Sequence, residues 1–247
     1  DYITESDTVH GRFGGVRLTC AATTGVARLH ASEFTGRDLY LATHPLATIS
    51  LMELLKRRER YPLHAACLAG ASGDGVLIAG PSGSGKSTLT FALARAGLAF
   101  LADDTVFLDR EADTGEVSVL GFSDALGITS HTAASFGELR SEVASPPPGF
   151  PKALVRLEDV LAVRTVASAT PRVLVMPEIV GGRPSHLSEL DPQEALLRLV
   201  PDVLLTDPAS TQAHLAALAA LLAQVRCHRL ECGPDLEQNA RLVAELL

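Results

Sequence analysis

Gly80, Pro81, Ser82, Gly83, Ser84, Gly85, Lys86, Ser87 and Thr88 form a complete G-x-x-x-x-G-K-S/T loop directly after the apolar run Val76-Leu77-Ile78-Ala79. The chemistry this pattern serves is phosphate binding. Glycines let consecutive backbone N–H groups turn inward around an anion, and a helix starting at the end of the loop points its positive end at the same charge. Lys86 is expected on the outer phosphates of ATP and the Ser87 hydroxyl on Mg²⁺. A glycine-rich turn could match by chance, but a strand before the loop and the helix-forming segment STLTFALARA after it favour nucleotide binding.

Two flanking features narrow what is done with the nucleotide. Upstream, the run LHAACLA (63–69) meets the turn-rich hexamer GASGDG and then the loop strand, which reads as an antiparallel hairpin. Pairing Ala69 with Val76 sets Cys67 opposite Ile78 and brings His64 beside Pro81, at the mouth of the loop. A lone His in an apolar run is otherwise a packed core residue. Downstream, a helix stopped at Gly97 leads into the apolar strand 98–102, which ends in Asp103-Asp104. Carboxylates there suit metal holding or orientation of a nucleophile. Successive strand residues face opposite sides, so the two need not share a role. The alternative is a solvated turn opening a hairpin into residues 105–108.

His-Ala-Ala, a hairpin, GPSGSGKS, a helix, Gly97 and Leu-Ala-Asp-Asp-Thr-Val together resemble HPr kinase/phosphorylase. More closely, they resemble the short HPr-kinase-like proteins of peptide-modifying gene clusters, including lasso-peptide kinases; the likeness is strong over residues 63–108 and diffuse elsewhere. The resemblance implies that Asp104 accepts the proton of the substrate hydroxyl. Asp103 would orient that group or contact the metal, and His64 would be the active-site His. It also implies a homo-oligomer. Two further correspondences are looser. Glu138, within Gly137-Glu138-Leu139-Arg140, is the only piece similar to the family's Mg²⁺-binding Glu. Arg183, within the segment 176–184 (MPEIVGGRP), stands where a guanidinium could stabilise the transferred phosphoryl group; a plain surface arginine fits as well. The motifs of the reverse, phosphorolytic reaction are the ones not reproduced, so kinase activity alone is expected.

The composition is compatible with this. The chain has 247 residues, 47% of them hydrophobic, enough for one large α/β domain with a smaller N-terminal piece. No apolar stretch approaches the roughly 18–20 residues a membrane span needs. Neither a membrane partner nor a secretory signal is expected, and the localisation expected is cytoplasmic. The net charge of −8 without a basic block argues against nucleic acid. An acidic chain that binds ATP must concentrate positive charge locally, through Lys86, Mg²⁺ and Arg183. Cys20, Cys67, Cys227 and Cys232 contain no C-x-x-C pair and read as reduced thiols, and a zinc site at Cys227-His228-Cys232 lacks a fourth ligand.

The remaining segments supply the frame. Residues 1–42 read as a small β-rich module with strands at 15–21, 26–30 and 38–41, and residues 43–247 as the kinase domain. Pro45 would open a helix with Leu46, Ile49, Met52 and Leu55 on one face, closing in the basic run 56–60, a solvated helix end or, less simply, an anion site. Residues 106–108 and 117–120 suggest a hairpin. The segment 121–152, ending in SPPPGFPK, is the least regular and is either a lid over the site or a passive connector. A strand at 173–176 follows. Helices follow Asp191-Pro192 and Asp207-Pro208, with an edge strand at 227–231 and a closing helix from Asp235. The fold expected is α/β, a mixed sheet of the HPr kinase C-terminal/phosphoenolpyruvate-carboxykinase type. The function expected is ATP-dependent transfer of a phosphoryl group to a serine hydroxyl of a small protein or ribosomal precursor peptide. A free-serine kinase and a nucleotide-binding regulatory module without turnover are the alternatives.

Overall fold

The computed structural model describes residues 2–5, 7–33, 35–122, 125–139, 152–202 and 208–247. The chain opens with four antiparallel strands in sequential order, β1 (Tyr2–Glu5), β2 (Thr8–Phe13), β3 (Val16–Ala21) and β4 (Val26–Ala31). In β3 the alternation of Val16, Leu18 and Cys20 with polar residues turns one face onto a small core shared with Ala42 and Leu46. That core is covered by a helical run: α1 (Gly36–Leu41), a π-helical turn (Ala42–Leu46) and α2 (Ala47–Lys56). Residues 38–41 are therefore helical, not a strand, and the helix begins well before Pro45. The missing N–H of Pro45 falls in the π turn, where the widened backbone tolerates it. Lys56, expected at a solvated end, is instead buried and paired with buried Glu53 at 2.9 Å.

A curled mixed sheet follows, built from β5 (Arg60–Leu63), β6 (Ala65–Ala69), β7 (Asp74–Ala79), β8 (Ala99–Ala102), β9 (Val106–Arg110) and β10 (Val117–Gly121). A separate two-stranded pair, β11 (Leu126–Ile128) and β12 (Ala153–Val155), stands off it, and β13 (Ser168–Ile179), β14 (His186–Glu189) and β15 (Arg226–Cys232) complete the large sheet. Its path is β5-β9-β10-β13-β7-β6-β8, with β15 between β13 and β14. Strands β7, β13 and β15 are parallel, and the rest pair antiparallel. The curl is tight enough that a Cβ on Gly121 of β10 would stand 2.0 Å from Leu101 Cδ2 of β8. Residues 227–231 are thus in an interior strand, not an edge: β15 pairs on both sides, which its buried Cys227, Leu230 and Cys232 require.

Helices cover both faces: α3 (Lys86–Arg95), α4 (Ser130–Ser135), α5 (Leu157–Val160), α6 (Pro192–Leu199), α7 (Pro208–Gln224) and α8 (Leu236–Ala244). Ala65, Cys67, Ala69 and Leu77 face Leu218, Leu221 and Leu222 of α7; Ala66, Leu68, Val76 and Ile78 face Leu89, Phe91 and Leu93 of α3 and Val243 of α8. A strand buried on both faces reads as a continuous apolar run, as β6 and β7 do. Asp191 caps α6 by accepting from Gln193 and Glu194 N–H, and Asp235 caps α8 by accepting from Gln238 N–H. Strand β13 is longer than the expected 173–176 because its prolines interrupt little: Pro171 lies at a register shift against β7, and Pro177 lies beyond the last β7 pair. Part of the irregular segment 121–152 is ordered as β11 and α4, with β12 just after it, while residues 123, 124 and 140–151 of the expected lid lie outside the described residues. Among the described residues no helix is long and apolar enough to cross a membrane.

Phe91 anchors α3 to this frame, fully buried with its ring 4.5 Å from that of Phe136. Phe91→Ala should lower unfolding free energy by about 3–5 kcal/mol in urea titrations; a loss below about 1 kcal/mol would show that α3 is held by other contacts.

Candidate active site

The hairpin places the site. A three-residue loop, 71–73, closes with Gly70 N–H donating to the Asp74 carbonyl at 2.9 Å, and Gly73 takes the left-handed conformation (φ 90°). This turn sets the register at Ala69↔Gly75, Cys67↔Leu77 and Ala65↔Ala79, one residue from the sequence expectation. Carried one step further it faces His64 with Gly80, not Pro81. The shift arises at the turn, whose length strand patterning does not specify when both faces are apolar.

Strand β7 then delivers the chain to residues 80–85. Gly80 (φ 149°), Gly83 (φ 84°) and Gly85 (φ 101°) all adopt backbone conformations that L side chains rarely take, and a Cβ on Gly80 would meet Ser84 Oγ at 3.1 Å. Gly85 caps α3 without any side-chain bond, which leaves the first N–H groups of the helix directed at the loop. Lys86 is buried and donates from Nζ to the carbonyls of Gly80 (2.6 Å) and Pro81 (3.2 Å), so its ammonium lies across the loop. Thr88 Oγ1 shares a 2.9 Å hydrogen bond with Thr132 Oγ1, tying the first turn of α3 to α4.

Strand β8 ends at Ala102, and in the bend that follows the two carboxylates diverge. Asp103 is only 8% exposed. Its Oδ2 accepts from Ser87 Oγ (3.3 Å) and Gly127 N–H (3.0 Å), while its buried Oδ1 has no hydrogen-bond partner. Burial pushes its carboxyl from 3.8 up to about 6; the Gly127 N–H opposes the rise, the Asp104 charge adds to it, and Lys152 and Ser87 oppose it. Asp104 points outward, its side chain 72% exposed. His64 lies against it, with Nδ1 2.8 Å from the Asp104 carbonyl and 3.5 Å from Oδ1. A carbonyl only accepts, so Nδ1–H is the donor in this contact.

Ser87, Asp103 and the loop therefore converge, and His64 joins Asp104 at the adjoining chain end. Glu138 does not join them. It pairs with Arg95 Nε at 2.8 Å, at the far end of α3, roughly 13 Å along the helix from Lys86. The Glu138 assignment rested on a short Gly-Glu-Leu-Arg match, and the helix length decides against it. Arg183 is exposed in the turn after β13, and the neighbouring Gly181 and Gly182 line a cavity of about 340 Å³ beside the loop. That cavity is walled by Gly85, Thr88, Leu89, Ile179 and Asn239 among others. Sequence reasoning missed Gly127 and Lys152; their signal, one glycine in a three-residue strand and one lysine after a proline-rich stretch, is too weak to read alone.

For Mg²⁺, the fit is good: a hydroxyl and a buried carboxylate with an orphaned oxygen are hard oxygen donors, and Mg²⁺ is commonly held by one or two carboxylates together with substrate phosphates. Among the described residues no group of three or more His, Cys, Asp or Glu could hold a metal, the Cys227-His228-Cys232 segment included.

No family model matches this chain, and no curated protein does. Among solved structures, the Hpr(Ser) kinase/phosphatase from Coxiella burnetii matches with 16% identity and a TM-score of 0.40, over 74% of this chain and 92% of that one.

The raised Asp103 carboxyl fixes the sign of a pH effect. The folded state holds this proton more tightly than the unfolded chain, so the contribution to stability is full below about pH 3.8 and is lost as pH rises through about 6. Above that, the buried charge costs on the order of 3 kcal/mol. In metal-free urea titrations Asp103→Asn should be more stable than wild type at pH 8, and its advantage at pH 8 should exceed that at pH 5 by about 1 kcal/mol. An advantage independent of pH would show that Asp103 does not titrate there.

Proposed function

We propose that the protein is an ATP-dependent kinase that transfers the γ-phosphoryl group to a serine hydroxyl of a peptide or small protein. The observation that carries this reading is the Ser87–Asp103 contact at the first turn of α3, with an unpartnered carboxylate oxygen beside a glycine-rich loop. The loop N–H groups and Lys86 would take the phosphates, and the apolar cavity beside Gly85 and Ile179 would seat the base. When bound through Ser87 and Asp103, Mg²⁺ would neutralise charge on the outer phosphates.

This chain's own residues then account for the proton. The acceptor hydroxyl attacks the γ-phosphorus in line, the bond to the bridging oxygen breaks, and ADP departs. The hydroxyl proton passes to the Asp104 carboxylate, which His64 Nδ1–H steadies through the Asp104 carbonyl and Oδ1. A sensor without turnover has no use for this second carboxylate. The exposure of Asp104 favours a large acceptor over a free amino acid, which would call for a closed pocket with paired charges. The choice of a peptide draws also on the resemblance to the short HPr-kinase-like proteins.

Incubation with labelled ATP and Mg²⁺ against serine-containing peptides and free serine tests the reading. Transfer to peptide should fall about 10²–10⁴-fold in Asp104→Asn while nucleotide affinity stays within about threefold. Label on free serine alone would support the small-molecule alternative, and Mg²⁺-dependent ATP binding without any transfer would support the sensor. Unchanged transfer by Asp104→Asn would remove that residue as the base.

A further inference from the structure

Lys152 precedes β12, and β12 pairs with β11 at Ile128↔Ala153 and Gly127↔Leu154. The side chain of Lys152 lies over Gly127: a Cβ there would stand 3.0 Å from Lys152 Cδ, 3.7 Å from its Nζ and 3.7 Å from Asp103 Oδ2. Gly127 thus does two things at one position. Its N–H holds the Asp103 carboxylate, and its bare Cα leaves room for the lysine stem. The Lys152 ammonium consequently lies on the same side of β11 as the Ser87–Asp103 contact. Among the described residues Lys152 is in no ion pair within 4 Å, and its charge acts across Gly127 on the Asp103 carboxylate.

We propose that Lys152 is a second phosphate-directed cation, seated by Gly127 and turned onto the outermost phosphate of the bound nucleotide. The inference rests on the nucleotide-binding reading above and deepens it. An incoming polyphosphate meets two adjacent carboxylates, Asp103 and Asp104, on a chain of net charge −8, while Lys86 lies across the loop and donates to the Gly80 and Pro81 carbonyls. A flexible ammonium between the carboxylates and the outer phosphate offsets that repulsion, and lysine acts here as a mobile point charge. Because it acts on the last phosphate, it discriminates ATP from ADP. A lysine that merely balanced Asp103 would not.

The test compares Mg²⁺–ATP and Mg²⁺–ADP affinities by calorimetry on the intact chain. A charge-assisted hydrogen bond lost from the outer phosphate should weaken ATP binding by Lys152→Gln roughly tenfold or more, with ADP changed by less than about threefold. Lys152→Arg should keep most of the ATP preference. Gly127→Ala, whose Cβ displaces the stem, should reproduce the ATP-selective loss at unchanged Lys152. Melting temperature checks that each variant is folded, and Lys152→Gln carries the test if Gly127→Ala is not. An unchanged ATP-to-ADP ratio in Lys152→Gln, or equal weakening of both, would overturn the assignment of Lys152 alone. Wild-type protein that binds neither nucleotide would overturn the kinase reading, and this inference with it.

Discussion

The buried carboxylate of Asp103 is the constraint around which the rest of the site is arranged. An ionised group out of water is tolerated only when donors or counter-charges meet it. Here two donors do so, from elements far apart in sequence: Ser87 Oγ on α3 and the Gly127 N–H on β11. Their convergence fixes the first turn of the loop helix against the β11–β12 pair. The remaining oxygen is left without a hydrogen-bond partner, which is costly for a buried polar group.

The frame makes that arrangement rigid. Parallel strands β7 and β13 end side by side, and the loop after β7 opens at their carboxyl ends, where α/β sheets characteristically bind ligands. Helix α3 is clamped between the sheet and the layer formed by Phe136, α8 and β11, so its N-terminus cannot drift from the β8 end that carries Asp103 and Asp104. Both walls of the site are regular elements, and the exposed parts are turns: Ser82 and Gly83 in the loop, Gly181 to Arg183 after β13, and Asp104 itself.

Much of this was legible from residues that act locally. The strand–loop–helix unit follows from backbone demands met by glycine and by a short apolar run. The cap at Asp191 follows from a side chain that bonds N–H groups two and three residues on. The split between Asp103 and Asp104 arises in the bend after β8, which the two-residue period of a strand does not reach. Errors came where partners are distant. The hairpin register slipped by one because β6 and β7 are apolar on both faces, leaving the turn to decide. Residues 227–231 looked like an edge because short strands with charged residues do, yet β14 covers that side. Residues 38–41 became helical because they continue into the run that roofs the β1–β4 core. Glu138 matched a motif in letters but sits a helix length from the loop.

The sequence by itself determined the glycine-rich loop, the pair of carboxylates and the hairpin that brings His64 to the loop, since each depends on neighbours in a short stretch of chain. Only the tertiary structure decided which carboxylate is buried against Ser87, that Gly127 holds it, and that Lys152 stands over that glycine. Those relations join β8, α3, β11 and β12 across long stretches of chain. Burial and hydrogen bonding between such elements are properties of the packed molecule, and no local pattern encodes them.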